Sequence, residues 1–241
     1  MLDTILIGGV AGGVGRTLVA PIDRVKIIYQ SNVSTPFTWK GAFLKLVEIK
    51  QKEGVYGLWK GNTSALTRII PYEAIKFKVY IATKDIAPNK LFAGMLSGIS
   101  GEICTYPIET LRTCISYKIG KKDSYYNIIN QMGIRKLYRG VSPAILSSAV
   151  YNGLSFGVYE YWRDVNSNIA AILAGITSTI GCYPMEIVKR RRQVGLKACP
   201  IDIYYKEGIS AFYKCITFNS VKSAILMSVV YKILEYDKKF N

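Results

Sequence analysis

The sequence predicts an all-α membrane protein, with six transmembrane helices in three pseudo-threefold repeats of two helices. Half of its 241 residues are apolar, which excludes a disordered chain. It carries 32 Lys and Arg against 16 Asp and Glu, and this surplus of bases indicates phosphates or an anionic membrane as partners. Histidine is absent, which excludes a histidine base or a His-bound metal. A pattern that recurs three times is the third observation.

That pattern reads Pro-x-acid-x-x-base and occupies residues 21–26, 107–112 and 184–189. Its flanks repeat as well, because Gly12, Gly98 or Gly175 lies nine residues before each proline. Downstream, each copy has a glycine, four further residues and then an aromatic residue followed by a base. Repeats of this kind predict three structural units, at 1–86, 87–165 and 166–241.

Each repeat contains two long apolar stretches separated by a basic segment. They run over residues 2–30, 61–83, 89–118, 140–162, 167–193 and 214–238. A transmembrane helix needs about 20 residues, so every stretch is long enough. Charged residues interrupt them, among them Arg16, Arg68, Glu102 and Lys222. Such charges are expected to face a water-filled interior.

The basic residues also predict the orientation. Three long connecting segments hold most of the loop bases, which places them on the positive-inside face and both termini on the opposite face. Segment 39–52 has apolar and basic residues at helical spacing and predicts a short amphipathic helix at that interface. The five cysteines form no Cys-x-x-Cys pair, so we expect neither a disulfide framework nor a metal site.

These repeats resemble the mitochondrial carrier family over the whole chain. The resemblance implies six tilted helices around a central cavity, alternating access across the mitochondrial inner membrane, termini in the intermembrane space and a monomer. Residues 8–26 look like the nucleotide branch, the ADP/ATP and related carriers. The chain is short for the family, as a compact, virus-encoded version would be.

The proline motif supplies the first predicted site, a gate on the matrix side. Proline kinks a long helix, and an acid two residues later lies nearly one turn from a base five residues later. Each acid can then pair with a base on a neighbouring helix and close a ring. Two glutamines resemble the family's braces, and Ser116 replaces the third. The predicted gate residues are Asp23, Lys26, Gln30, Glu109, Arg112, Glu186, Lys189 and Gln193.

A second ring is expected at the cytosolic side. Its predicted members are Lys84, Glu160, Arg163, Glu235 and Lys238. The first repeat has Ile81 where the others have an acid, so one pair cannot form. We therefore expect this side to close less tightly.

The substrate site is predicted from equal offsets. Arg68, Ser147 and Lys222 lie seven residues after the third position of each aromatic-base triplet, and they match the family's three contact points. Cations facing one cavity suit a phosphorylated anion. The predicted substrate-binding residues are Arg16, Arg68, Ser147, Ser148, Tyr151 and Lys222. Glu102 is expected either to pair with Arg16 or to couple a proton.

Lipid sites are the last set. The aromatic-base-Gly triplets begin the second helix of each repeat, where free N–H groups attract phosphate. In the family such sites bind cardiolipin. The residues predicted here are Trp59, Lys60, Gly61, Tyr138, Arg139 and Gly140. The third triplet ends in Cys215 instead of glycine.

The sequence therefore favours exchange of phosphorylated nucleotides. A carrier of another phosphorylated or carboxylated solute, such as coenzyme A or phosphate, is the alternative of the same class. A basic nucleic-acid-binding helical repeat protein is the alternative of another class, although the bases lie at loop ends. We expect no cofactor and no enzymatic activity, because no nucleophile–base set is present.

Overall fold

The computed structural model describes residues 2–33, 35–88, 90–120, 125–165 and 167–240, and this part of the chain is helical without strands. The helices are α1 (Leu2–Ser31), α2 (Trp39–Glu53), α3 (Asn62–Thr83), α4 (Lys90–Tyr117), α5 (Tyr125–Leu137), α6 (Val141–Trp162), α7 (Ser167–Gln193), α8 (Pro200–Glu207) and α9 (Ile216–Phe240). Short 3-10 turns at Val55–Trp59 and Ile209–Tyr213 precede α3 and α9.

The six long helices coincide with the six predicted apolar stretches to within a few residues. Among the described residues, one helix, over 169–193, is apolar and long enough to cross a membrane by composition alone. Mid-helix charges in α3, α4 and α9 lower the apolar character of those helices. The short helices α2, α5 and α8 lie in the three basic connecting segments, and α2 is the predicted amphipathic helix.

The long helices pack side by side. In this series α9 contacts α1, α1 contacts α3, α3 contacts α4, α4 contacts α6, and α6 contacts α7. The first helices of the three repeats, α1, α4 and α7, also contact one another, so they converge. Each contains a proline, at positions 21, 107 and 184. We call the end that carries α2, α5 and α8 the loop end, and the opposite end the terminal end.

The turn before each second helix needs a left-handed residue. Gly61 (φ 91°) and Gly140 (φ 88°) supply it in the first two repeats, and Cys215 (φ 66°) does so in the third. Glycine adopts this conformation without the strain that a Cβ causes. The third triplet thus keeps the shape of the other two at a greater conformational cost.

Packing at the loop end fixes α2 against the bundle. Ala42 and Ile49 of α2 are buried with Val25 and Ile28 of α1. The apolar side chain of Phe43 remains exposed, as expected for a helix at a membrane interface.

Candidate functional site

The six charged residues of the proline motifs meet where α1, α4 and α7 converge. An Arg112 Nη atom lies 2.7 Å from Asp23, and Lys26 Nζ lies 3.0 Å from Glu186. The third pair, Lys189 with Glu109, is longer at 3.7 Å. Each pair joins two different first helices, so together they hold the loop end closed. We call these six residues the loop-end ring.

Glu109 is the centre of this ring. Its carboxylate lies 2.6 Å from Arg68, which is on α3, and 2.7 Å from Arg190, which is on α7. The residue is buried, at 2% exposure. Arg190 also donates a 2.7 Å hydrogen bond to Thr113. Sequence reasoning missed Arg190 as a gate residue, because no base occupies the corresponding position of the other two repeats.

Two of the predicted substrate-binding cations are held by carboxylates. Arg68 contacts both Glu102 and Glu109, and Lys222 Nζ lies 2.9 Å from Asp23. Glu109 and Asp23 belong to the loop-end ring. In this closed arrangement the ring therefore occupies the cations that a substrate would need.

The expected pair between Glu102 and Arg16 is wrong. Glu102 binds Arg68 of α3 and, at 2.6 Å, Lys189 of α7. Its position explains this, because it lies seven residues before Glu109 and two helical turns bring both acids to one face of α4. The acid thus extends the loop-end ring toward the cavity.

Arg16 lies apart from these pairs. It is exposed and lines a cavity of about 210 Å³ together with Arg68, Tyr72, Glu102 and Arg112. Within the described residues it has no hydrogen bond or ion pair. The Arg68 guanidinium also lies over the Tyr72 ring, 5.0 Å from its centre. This cavity, which we call the lower cavity, thus presents Arg16, without an ion-pair partner in the described part of the chain, beside Arg68, which is shared by two carboxylates.

The residues predicted on α6 point in different directions. Ser147 lies within hydrogen-bonding contact of Cys182 on α7, whereas Ser148 lies beside Gly98 on α4. Tyr151 is 42% exposed. Residues one apart on a helix lie about 100° apart around its axis, so Ser147 and Ser148 face different neighbouring helices.

The glutamines act through neighbouring side chains. Gln30 donates a 3.2 Å hydrogen bond to the Tyr183 hydroxyl, and the Tyr183 ring lies 5.7 Å from Lys26 Nζ. Gln193 accepts hydrogen bonds from Thr113 at 2.8 Å and from Arg190 at 3.3 Å. Ser116 faces away from the ring and donates to the Lys60 carbonyl.

The terminal end has a different arrangement. Arg163 lies 3.7 Å from Glu160 within α6 and 3.5 Å from Asp164. Lys84 is exposed just after α3. The side chains of Glu235 and Lys238 lie outside the described residues. No ion pair crosses between helices here among the described side chains.

The predicted lipid sites lie around the loop end. Trp59 Nε1 donates to the Thr17 carbonyl at 2.8 Å, and Lys60 lies 3.5 Å from Glu53. The Tyr138 ring stacks on Tyr106. Arg139 and Gly140 line an open cavity of about 360 Å³ with Arg192 and Lys197. The second repeat therefore presents a basic pocket beside its triplet.

Two buried ion pairs at the loop end were missed from the sequence. Arg24 lies 2.7 Å from Glu53 and also donates to the Ser116 and Lys118 carbonyls, which joins the first repeat to the end of α4. In the third repeat, Arg191 binds Glu207. The sequence feature that could have indicated these pairs is the acid directly before the repeated glycine, Glu53 before Gly54 and Glu207 before Gly208.

These contacts favour the ionised form of the Glu53 carboxylate. Burial alone would raise its pKa, but hydrogen bonds from Arg24 and the Gly120 N–H outweigh burial and lower it. In the second repeat Met132 stands at this position and packs on an apolar cluster of Cys114, Ile115 and Ile128. The corresponding contact is therefore apolar there.

Comparison with known proteins identifies the family. The family described as "Mitochondrial carrier protein" matches residues 1–90, 83–168 and 164–240. A mitochondrial coenzyme A transporter of Homo sapiens is 30% identical over 272 residues, which cover 95% of this chain and 85% of the relative. Solute carrier family 25 member 16 of Homo sapiens is 29% identical over 294 residues, covering 99% and 88%.

An uncharacterized mitochondrial carrier of Saccharomyces cerevisiae is 31% identical over 294 residues, covering 95% of this chain and 90% of the relative. These names do not support the nucleotide branch that residues 8–26 indicated. They fit a carrier of another solute, the alternative of the same class. The three matched segments span the chain, which is therefore a transporter of the mitochondrial carrier family.

Proposed function

We propose that this carrier exchanges coenzyme A across the mitochondrial inner membrane by alternating access. The observation that carries the proposal is a set of cations: Arg16 and Arg68 line the lower cavity, and Lys222 binds Asp23 of the loop-end ring. It is supported by the relatives that are named coenzyme A transporters. The proposal prefers the alternative that the sequence left open, a carrier of another phosphorylated solute, over the nucleotides that the sequence favoured.

The chemistry of the solute suits these cations. Coenzyme A carries a 3′-phosphate on its ribose and a diphosphate that leads to the pantetheine arm. Arginine binds phosphate oxygens in a bidentate manner, and lysine provides a point charge. Arg16, which has no partner among the described residues, is the natural first contact for an entering phosphate.

Substrate binding would then weaken the gate. The phosphates compete with Glu102 and Glu109 for Arg68, and with Asp23 for Lys222. A buried carboxylate that loses a cationic partner is destabilised by several kcal/mol. The loop-end ring would thus open when phosphates of the solute, and not water, replace its carboxylates as partners of Arg68 and Lys222. The ring residues keep the role of a matrix-side gate in this proposal.

The placement in the membrane is part of the same proposal. The basic loop end would face the matrix, with the termini in the intermembrane space, in accordance with the positive-inside rule. Cardiolipin would bind at the triplets of the first two repeats. The pocket at Arg139, Arg192 and Lys197 supports this, since three cations suit an anionic headgroup.

Exchange in reconstituted liposomes tests the substrate. Vesicles loaded with unlabelled coenzyme A should take up labelled coenzyme A, and external ADP, ATP or phosphate should compete weakly. Arg68→Ala should abolish uptake, whereas Lys78→Ala, an exposed lysine of the same helix, should leave it unchanged. Exchange of ADP or ATP without coenzyme A uptake would overturn the proposal.

Nucleotide exchange is the second candidate. Tyr151 favours it, because an exposed aromatic ring one turn from Ser147 can stack on a nucleobase. Coenzyme A contains the same adenosine, so competition by ADP alone does not separate the two. Direct uptake of each labelled solute does.

A further inference from the structure

A second cavity of about 360 Å³ lies between α3, α4 and α6, farther toward the terminal end than Arg68. We call it the upper pocket. Glu73 and Lys76 both line it, and they form an ion pair in which Lys76 Nζ lies 3.8 Å from the Glu73 carboxylate. Its other lining residues are uncharged: Phe77, Tyr80, Gly94, Ser97, Asn152 and Phe156. The upper pocket therefore differs from the lower cavity, which is dominated by arginines.

The two cavities are adjacent. Glu73 lines both, and Lys76 and Tyr80 follow Arg68 along α3 by 8 and 12 residues, each four-residue step turning about 40° around the helix axis. Helical rise places Lys76 about 12 Å and Tyr80 about 18 Å beyond Arg68. A ligand whose anionic end binds at Arg68 can therefore reach the upper pocket with an arm of that length.

Gly94 gives the pocket its room. A Cβ at this position would lie 2.8 Å from Cε2 of Phe156, so a side chain there would displace the Phe156 ring. Polar groups remain available in the same wall. Asn152 donates one amide hydrogen to the Ser148 carbonyl, and the Ser97 hydroxyl, which donates to Gly94, can still accept.

We propose that the upper pocket binds the uncharged pantetheine arm of coenzyme A while its phosphates bind in the lower cavity. This inference rests on the proposed function. The arm has about the length of four extended residues, or about 14 Å, which matches the distance along α3. Its methylene and methyl groups suit Phe77 and Phe156, and its two amides suit Ser97, Asn152 and Tyr80.

The test compares coenzyme A with a ligand that keeps the adenosine and the 3′-phosphate but lacks the arm and one of the two 5′-phosphates. Labelled coenzyme A is exchanged in liposomes, and adenosine 3′,5′-bisphosphate, which lacks the arm, is measured as a competitor. Gly94→Leu should raise the KM for coenzyme A at least tenfold and change the inhibition constant of the bisphosphate less than threefold. Phe156→Ala, which removes contact area without adding bulk, should raise the same KM several-fold and also spare the bisphosphate.

Gly157→Leu is the matched control, because a Cβ at this α6 glycine meets nothing within 4 Å. It should change neither constant. Equal shifts for both ligands in Gly94→Leu and Phe156→Ala, or no shift for either, would overturn the placement of the arm. Wild-type protein that takes up no coenzyme A would instead overturn the proposed function together with this inference.

Discussion

The loop end and the terminal end carry the same kind of charge motif, an acid three residues before a base, yet the structure uses them differently. At the loop end, Lys26 binds Glu186 on another helix although Asp23 lies within its own motif. At the terminal end, Arg163 binds Glu160 of its own helix at 3.7 Å. The sequence spacing thus places an acid and a base on each helix, whereas the convergence of the helices decides which acid pairs with which base.

Burial separates the two ends further. Glu109 at the loop end has a side chain that is 3% exposed, whereas Glu160 is 69% exposed. Exposed pairs stabilise a protein by about 0–1 kcal/mol, while breaking a buried pair costs about 3–5 kcal/mol. In the proposed function, the buried pairs make the loop end the closed gate of this conformation, and the terminal end is the side from which a solute enters.

Loss of the charge at Glu109 should have the largest effect. Glu109→Gln leaves Arg190 buried without its carboxylate and removes partners from Arg68 and Lys189. We expect a loss of about 3 kcal/mol in stability and at least a tenfold fall in exchange rate. Thermal unfolding in detergent and liposome exchange measure the two effects.

Glu186→Gln is the matched control, because Glu186 forms its ion pair with one cation, Lys26, among the described residues. It should lower stability clearly less than Glu109→Gln does. Equal losses for the two variants would show that Glu109 is not the centre of the ring.

The next effect concerns the loop end outside the ring. Arg24→Met removes the ion pair with Glu53 and the hydrogen bonds to the Ser116 and Lys118 carbonyls. Because Arg24 is 1% exposed, we expect a loss of about 2–3 kcal/mol in stability. The KM for substrate should remain unchanged, since Arg24 does not line the lower cavity.

Glu48→Gln on α2, the helix that carries Glu53, provides a comparison with a less buried ion pair. Its carboxylate pairs with Lys45 and Lys52 on the surface of α2. We expect a change below about 1 kcal/mol. A melting temperature for Arg24→Met equal to that of Glu48→Gln would contradict the assignment of Arg24 as a structural link between repeats.

The terminal end can be made more like the loop end. Ile81 is 48% exposed and stands where the second repeat has Glu160. Ile81→Glu should allow one more cross-helix pair when this end closes, and so stabilise the closed state and slow exchange about threefold. Ile86→Glu, at an 84% exposed position beyond the ring, is the control. An unchanged exchange rate in Ile81→Glu would show that the acid missing from the first repeat does not make this end close less tightly.

The repeat pattern predicted much of this molecule. The bounds of the long helices and the identity of the loop-end ring follow from three copies of one motif, because symmetric residues must lie at equal depth. Features that break the symmetry escaped prediction. Arg190 has no counterpart in the other repeats, and Glu102 pairs with Lys189 and Arg68 instead of Arg16, since the packing of α3 and α7 against α4 decides its neighbours.

Substrate identity was the least predictable part. Residues 8–26 resemble one branch of the family, yet they all lie within α1, whereas the two cavities are lined mainly by α3, α4 and α6. The upper pocket was also invisible in the sequence, because Gly94 and Phe156 are 62 positions apart and become neighbours only through the contact of α4 with α6.

The smallest expected effect is a dependence of loop-end stability on pH. Burial opposes ionisation of Glu53, but bonds from Arg24 and Gly120 hold its pKa below the usual 4.5. As the pH falls below that value, the unfolded chain binds a proton before the folded one does, and the stabilisation is lost as the pH passes through the lowered pKa. The melting-temperature difference between wild type and Glu53→Gln should therefore be largest at pH 7 and shrink below pH of about 4.5. In an Arg24→Met background the same difference should be smaller throughout, because the guanidinium that lowers the pKa is gone. A difference that stays constant from pH 7 into this acid range would show that the ionised carboxylate of Glu53 does not stabilise the link between repeats.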